Sequence, residues 1–171
     1  SEHSKNIFDN TIYHGQNKET KEKVTLKCTS PVGIVHYPVK TFKALPDLDM
    51  NLDYDFNYLA VAQWGPRKNL ENTIQWFVEE NFDQKVGLVL KTFVKNGAIV
   101  DRRHTEEMIK QITSRHEDME CKIYLLHGDM TDAEMHSLYN HPQIKCIVST
   151  THGEGFGLPL FEAAYSGLPV V

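Results

Sequence analysis

The chain has 171 residues, about one domain or one domain with part of another, and its 40% hydrophobic and 24% charged residues fit a globular protein with a real core. A formal net charge of −5 and the lack of any basic run beyond a few residues argue against a nucleic-acid binder or a polybasic membrane-surface protein. No apolar run approaches the ~18 residues of a membrane span, and the N-terminus has no signal-peptide apolar region, so a cytoplasmic protein is expected.

In chain order, residues 4–14 predict a helix with Ile7, Phe8 and Ile12 inward and Gly15 as its stop. Residues 16–23 predict a polar, charged loop. Residues 33–37 predict a strand ended by Pro38, and residues 40–55 lack periodicity and predict a linker.

From Asn57 onward short apolar runs alternate with helical patterns. Residues 58–63 are of strand length. In residues 69–82, Leu70, Ile74, Phe77 and Val78 fall at i, i+4, i+7 and i+8 and share one helix face. Residues 86–90 form the next predicted strand, and residues 105–116 a helix with Met108, Ile109 and Ile112 on one side. A strand follows at 122–126. The third helix of this series opens on Thr131 and Glu134, a capping box, and buries Met135, Leu138 and Tyr139. A strand at 144–148, a helix at 157–166 and the start of a further strand at 168–171 complete the pattern. Strands apolar throughout and separated by amphipathic helices predict an α/β domain: an open, doubly wound, Rossmann-like parallel sheet covered on both faces. Ligands of such sheets bind beyond the carboxyl ends of the strands, at helix N-termini. Residues 169–171 should lie inside a buried strand, so the expectation is a fragment truncated at its C-terminus.

Cys28, Cys121 and Cys146 are scattered and odd in number, and the last two sit in apolar runs, which predicts buried thiols in a reducing compartment. The histidines show no paired-ligand spacing, so no metal site is expected.

The loop after the 144–148 strand carries the chemistry. Gly153, Gly155 and Gly157 alternate there, which lets the backbone approach a ligand and adopt positive φ. Pro159 suits the first turn of the next helix, whose free N–H groups and partial positive charge favour an anion such as a diphosphate. Glu154 and Glu162 flank this element, and a carboxylate is a good acceptor for the vicinal hydroxyls of a ribose or hexose.

Residues 154–171, which read Glu-Gly-Phe-Gly-Leu-Pro-Leu-Phe-Glu-Ala-Ala-Tyr-Ser-Gly-Leu-Pro-Val-Val, resemble the E-x7-E signature of glycosyltransferase family 4, retaining enzymes of the two-domain GT-B fold. Residues 126–139 resemble that family's segment ending in Leu-Tyr. Residues 61–70, with Pro66, Lys68 and Asn69, resemble its phosphate loop. Residues 1–5 are similar to the start of the last helix of the acceptor domain, and residues 34–39 to the crossover into the donor domain. The resemblance covers nearly the whole chain. It implies that residues 1–40 are a remnant of the acceptor domain and crossover, and residues 41–171 a truncated nucleotide-sugar donor domain.

The resemblance further implies roles. Glu162 would bind the ribose hydroxyls and Glu154 would lie near the donor sugar. Gly155, Phe156, Gly157 and Leu158 would form the loop whose amides meet sugar and diphosphate. Lys68 would neutralise the leaving nucleoside diphosphate without a metal or cofactor. Where the family has Gly-Arg this chain has Ala62 and Gln63, and a neutral amide cannot replace a guanidinium. Arg67 either supplies the charge from a shifted position or is a solvated surface residue. Lys91 also points toward the ligand edge. His152 is set aside as a general base, because the leaving phosphate is thought to assist the acceptor in such enzymes.

The expected function is transfer of a sugar from a nucleotide-diphosphate sugar to a saccharide, lipid or protein acceptor, with retention. The fragment alone should be inactive, its acceptor domain being absent. The alternatives are a nucleotide-binding regulatory module without catalysis, which Gln63 favours, and another GT-B-like enzyme such as an epimerase or phosphorylase.

Overall fold

The computed structural model describes residues 1–116 and 118–171 and divides into two units, Ser1–Thr41 and Phe42–Val171. The first unit holds helix α1 (Glu2–Asn10) and an antiparallel hairpin of strands β1 (Ile12–Gln16) and β2 (Lys23–Lys27). The helix is shorter than its periodicity predicts. Ser1 caps it, and it ends at Thr11, whose backbone is extended. Thr11 and Ile12 lose side-chain freedom in a helix and fit a strand better. Ile12 therefore belongs to β1, and Gly15, read as a helix stop, lies inside that strand. The predicted loop at 16–23 is the hairpin connection. Asn17 Oδ1 accepts bonds from the Glu19 and Thr20 amides at 2.9 and 3.2 Å, a local Asx arrangement that bends the chain. The predicted strand at 33–37 is irregular, since neither side finds a pairing partner among the described residues.

The second unit carries a parallel sheet of β3 (Asn57–Val61), β4 (Gly87–Lys91), β5 (Lys122–Leu126) and β6 (Ile144–Ile147), in the order β5-β4-β3-β6. Helices α2 (Leu70–Asn81), α3 (Ile99–Thr113), α4 (Asp132–Tyr139) and α5 (Leu158–Tyr165) connect and follow them. Side chains alternate between faces along each strand. Ala60, Leu88 and Leu90 pack under Leu70, Ile74, Phe77 and Val78 of α2 and the partly buried Met108, Ile109 and Ile112 of α3. Leu59, Val89 and Ile147 pack under Leu138 and Tyr139 of α4 and Ala163 of α5. Both faces are covered, as the all-apolar strands predict, and Cys121 and Cys146 are buried. The fold is the expected α/β, open, doubly wound parallel sheet. Residues 169–171 run parallel to β6 through a single bridge between Ile147 and Val170, so the further strand is present only as an isolated pairing. Helix α3 starts at Ile99, six residues ahead of the predicted 105.

The irregular stretch before β3 is a strap rather than a free linker. Leu48, Met50 and Leu52 pack against the second core. Ser137 Oγ donates to the Pro46 carbonyl at 2.6 Å, and Tyr54 donates from its hydroxyl to the Glu120 carbonyl at 2.6 Å. Asp53 takes the Tyr124 hydroxyl at 2.9 Å and the Lys122 ammonium at 3.0 Å. These bonds fasten the amino-terminal edge of the sheet and leave the carboxyl edge open. No helix among the described residues is long and apolar enough to cross a membrane.

Candidate functional site

The chain leaves β3, winds outward through β4 and β5, and returns by α4 to β6 on the other side of β3. The loops after β3 and β6 therefore part at a topological switch point, where an open sheet leaves a crevice. Their residues close its ends. Asn69 begins α2 in the left-handed region, with φ 57°, and its side-chain amide donates to the Thr150 carbonyl at 3.1 Å. The Thr73 and Thr150 hydroxyls lie 2.6 Å apart. The Arg67 carbonyl accepts the His152 amide at 2.9 Å and the Thr151 hydroxyl at 3.0 Å. The two loops are thus stitched backbone to backbone.

That stitching brings together two of the predicted segments. Lys68, in a single helical turn at Pro66–Lys68, forms an ion pair with Glu154, and Arg67 Nη1 lies 3.3 Å from the other Glu154 carboxylate oxygen. Arg67 also donates to the Gly153 carbonyl. The Lys68 ammonium beside Glu154 holds its carboxyl below the usual range, with burial opposing and Arg67 adding to the effect. Lys68 and Glu154 expose only 18% and 23% of their side chains, whereas Arg67 exposes 59%. Lys68 is thus the more enclosed of the two cations, and Arg67 the solvated one.

Of the three alternating glycines, only Gly157 has positive φ, 75°, and it caps α5 with Pro159 in the first turn. Gly153 and Gly155 do not use the left-handed region; added Cβ atoms there would meet open space. This corrects the expectation for those two positions: Gly157 alone makes the turn, because only there does the chain reverse into a helix. Leu158 is the first residue of α5. Phe156 is exposed, with its ring 5.2 Å from that of Phe161. Glu162 faces α4, where its Oε2 lies 3.4 Å from the Tyr139 hydroxyl, and burial together with Glu162 raises that hydroxyl's pKa.

A cleft of about 410 Å³ opens along the carboxyl edge, lined by Gln63, Lys68, Lys91, Phe93, Asp129 and Pro159 among others. Gln63 donates its side-chain amide to the Val94 carbonyl at 3.0 Å. Lys91, at the end of β4, is 8% exposed and donates to the Gly128 carbonyl. Burial pushes its ammonium below the usual lysine value, and Asp129 offsets part of this. A larger cavity of about 470 Å³ lies elsewhere, between α2 and α3.

Two features escape the sequence patterns. Asp129 and Met130 line the cleft from the loop after β5, where Gly128 has φ 99°. Glycine here was the available signal, since other residues rarely take that conformation. Behind the cleft, His127 Nε2 and Asp101 Oδ2 lie 2.9 Å apart, with 2% and 8% of their side chains exposed. Asp101 also accepts the Val94 and Lys95 amides at 3.0 and 2.9 Å. Burial acts to raise the Asp101 carboxyl, but His127 and these amides outweigh it and hold it below its ordinary value. The pair fixes the rim loop to which Gln63 bonds. Residues 26 positions apart in sequence leave no local pattern for such a contact.

No protein-family model and no curated protein matches this sequence. Among solved structures, the chain is similar to the C-terminal domain of a glycosyl transferase group 1 family protein (LpcC) from Francisella tularensis, at 18% identity and a TM-score of 0.44, covering 67% of this chain and 56% of that one. TarM is similar at 19% identity and a TM-score of 0.43, covering 75% of this chain and 23% of that one. AviGT4, a glycosyltransferase involved in avilamycin A biosynthesis, is similar at 14% identity and a TM-score of 0.38, with 70% of this chain and 32% of that one covered. The chain thus spans 56%, 23% and 32% of these proteins.

Proposed function

We propose that the cleft binds the nucleoside diphosphate of a nucleotide sugar, and that the protein containing this chain transfers the sugar to an acceptor with retention of configuration. The observation that carries this reading is the meeting of Lys68 and Glu154 at the switch point, directly before the glycine-capped start of α5. A lysine there neutralises a leaving diphosphate, and the free amides of the helix terminus add a fixed positive field. Without ligand, Glu154 serves as the counter-ion to Lys68. A bound diphosphate takes over the ammonium and releases the carboxylate to the hydroxyls of the donor sugar. Glu162, on the same helix, takes the ribose hydroxyls, and Gly155 and Phe156 approach the sugar. The resemblance of residues 154–171 to the E-x7-E signature supports the same assignment. The acceptor site belongs to a further domain, so this chain alone binds donor and does not turn over.

The test is thermal unfolding with millimolar UDP, GDP and ADP, without divalent metal. A nucleotide at a hundredfold excess over its Kd should stabilise the folded state by about 2.7 kcal/mol, and Glu162→Ala should abolish that gain. No response to any of the three, in wild type, would sink the donor-site reading.

One observation favours a second reading, a nucleotide-binding regulatory module without catalysis. Gln63 brings no charge to the cleft and its amide is occupied by the Val94 carbonyl. Nucleotide-dependent stabilisation with no donor hydrolysis or transfer by the complete protein would establish it.

A further inference from the structure

The strand order gives the cleft a direction. Lys68 and Glu154 sit above β3 and β6, while Lys91 ends β4 and Asp129 follows β5. Neighbouring strands are about 4.8 Å apart, so Lys91 and Asp129 stand roughly one and two strand spacings from the diphosphate end. A nucleotide anchored at Lys68 and laid along this edge brings its base to them. Phe93, Met130 and Met135 supply apolar and polarisable surface for a flat ring at the same place.

The polar groups there are a donor and an acceptor held apart. Lys91, a largely buried residue that lines the cleft, uses one of its three protons on the Gly128 carbonyl, which leaves two for a ligand. Asp129 is exposed and acts on the charge of Lys91, yet the two form no ion pair within 4.0 Å. Its carboxylate accepts no side-chain or backbone hydrogen bond among the described residues. A cation beside a free carboxylate matches a ring edge that carries a carbonyl next to an N–H. Guanine and uracil have that edge; adenine and cytosine reverse it, with an amino group next to a bare ring nitrogen. Resting on the reading that the cleft takes a nucleoside diphosphate, we propose that Lys91 and Asp129 select a base with a carbonyl beside an N–H, guanine or uracil, Lys91 donating to the carbonyl and Asp129 accepting from the N–H.

The proposal is tested by measuring Kd for UDP, GDP, ADP, CDP and inorganic pyrophosphate with the full chain, Lys91→Met and Asp129→Asn. Wild type should bind UDP or GDP at least about tenfold more tightly than both ADP and CDP. Asp129→Asn, at an exposed position where folding is not at stake, should erase most of that preference and leave pyrophosphate binding within about twofold of wild type. Lys91→Met should do the same, with its ligand-free melting temperature measured alongside because Lys91 is buried. Equal or tighter binding of ADP or CDP overturns the proposal while the donor reading stands. So does an Asp129→Asn loss that is as large for pyrophosphate as for the nucleotide. If wild type binds neither pyrophosphate nor any nucleotide, the donor reading itself has failed, and the base assignment with it.

Discussion

Glu154 shows what one side chain does for the site and for the fold. Lys68 holds its carboxyl below the usual value, so the pair adds stability at pH values above the unfolded carboxylate range of about 4.3. That contribution fades as the pH falls through the depressed folded value. Acid melting curves of wild type and Glu154→Gln should therefore differ near neutrality and converge at low pH; parallel curves throughout would show that the pair is not formed in solution. Gly87 is constrained differently. A Cβ there would run into Asn57 Oδ1 and stand 2.7 Å from Tyr124 Cε2, both on neighbouring strands. Gly87→Ala should cost about 2 kcal/mol by overpacking, read as a lowered denaturation midpoint. An unchanged midpoint would mean that the sheet's amino-terminal edge is loose.

At the scale of elements, two helix starts make contrasting predictions. Thr131 and Glu134 close a capping box at α4, with the Thr131 side chain accepting the Glu134 amide and Glu134 accepting the Thr131 amide at 2.6 Å. Thr131→Ala should lower stability by about 1 kcal/mol, with no effect on nucleotide binding. Gly157 starts α5 at φ 75°, a backbone conformation that costs other residues about 1–2 kcal/mol. Gly157→Ala should lower stability by a similar amount and also weaken nucleotide binding, because the turn aims the helix terminus at the cleft. A stability loss without a binding loss would separate the turn from the site. The capping box was legible from residue types alone. The turn was legible as a glycine-rich loop, but which of its three glycines makes the reversal depends on where β6 ends.

For the whole molecule, the two units differ in what they bury. None of the residues of α1, β1 or β2 is buried, whereas Leu59, Ile74, Leu88, Leu90 and Leu138 of the second unit are 0% exposed. Amide exchange should follow this division. Amides of 12–27 should exchange at least about a hundredfold faster than those of 57–61 and 87–91, because local opening energies scale with burial and contact density. Equal protection would mean that the hairpin packs on a partner in solution.

The sequence by itself determined the sheet and helices from Asn57 onward, but not the strap before them. Four apolar runs, each of strand length, and four helices with apolar stripes could satisfy their hydrophobic faces only as a covered parallel sheet, and local periodicity reports that requirement. It also supplied Glu154 and the α5 terminus, since a glycine-rich turn ahead of a helix is a local pattern, whereas Lys68 entered only through the resemblance of residues 61–70 to a phosphate loop. In residues 4–37 the helix and the polar loop were legible, but the helix end, the two hairpin strands and the irregular 33–37 stretch were not, because the apolar residues there are not buried in the first unit and periodicity reported no core; pairing across the Asn17 turn decided the hairpin instead. Tertiary structure alone decided that Arg67 is solvated beside Lys68, that Gln63 is spent on the Val94 carbonyl, and that the Asp101–His127 pair is buried behind the cleft. It alone brought Asp129 to the edge where Lys91 stands, without joining the two. Each of these depends on the order in which β3 to β6 lie side by side, and that order is a property of the packed chain that no stretch of sequence carries.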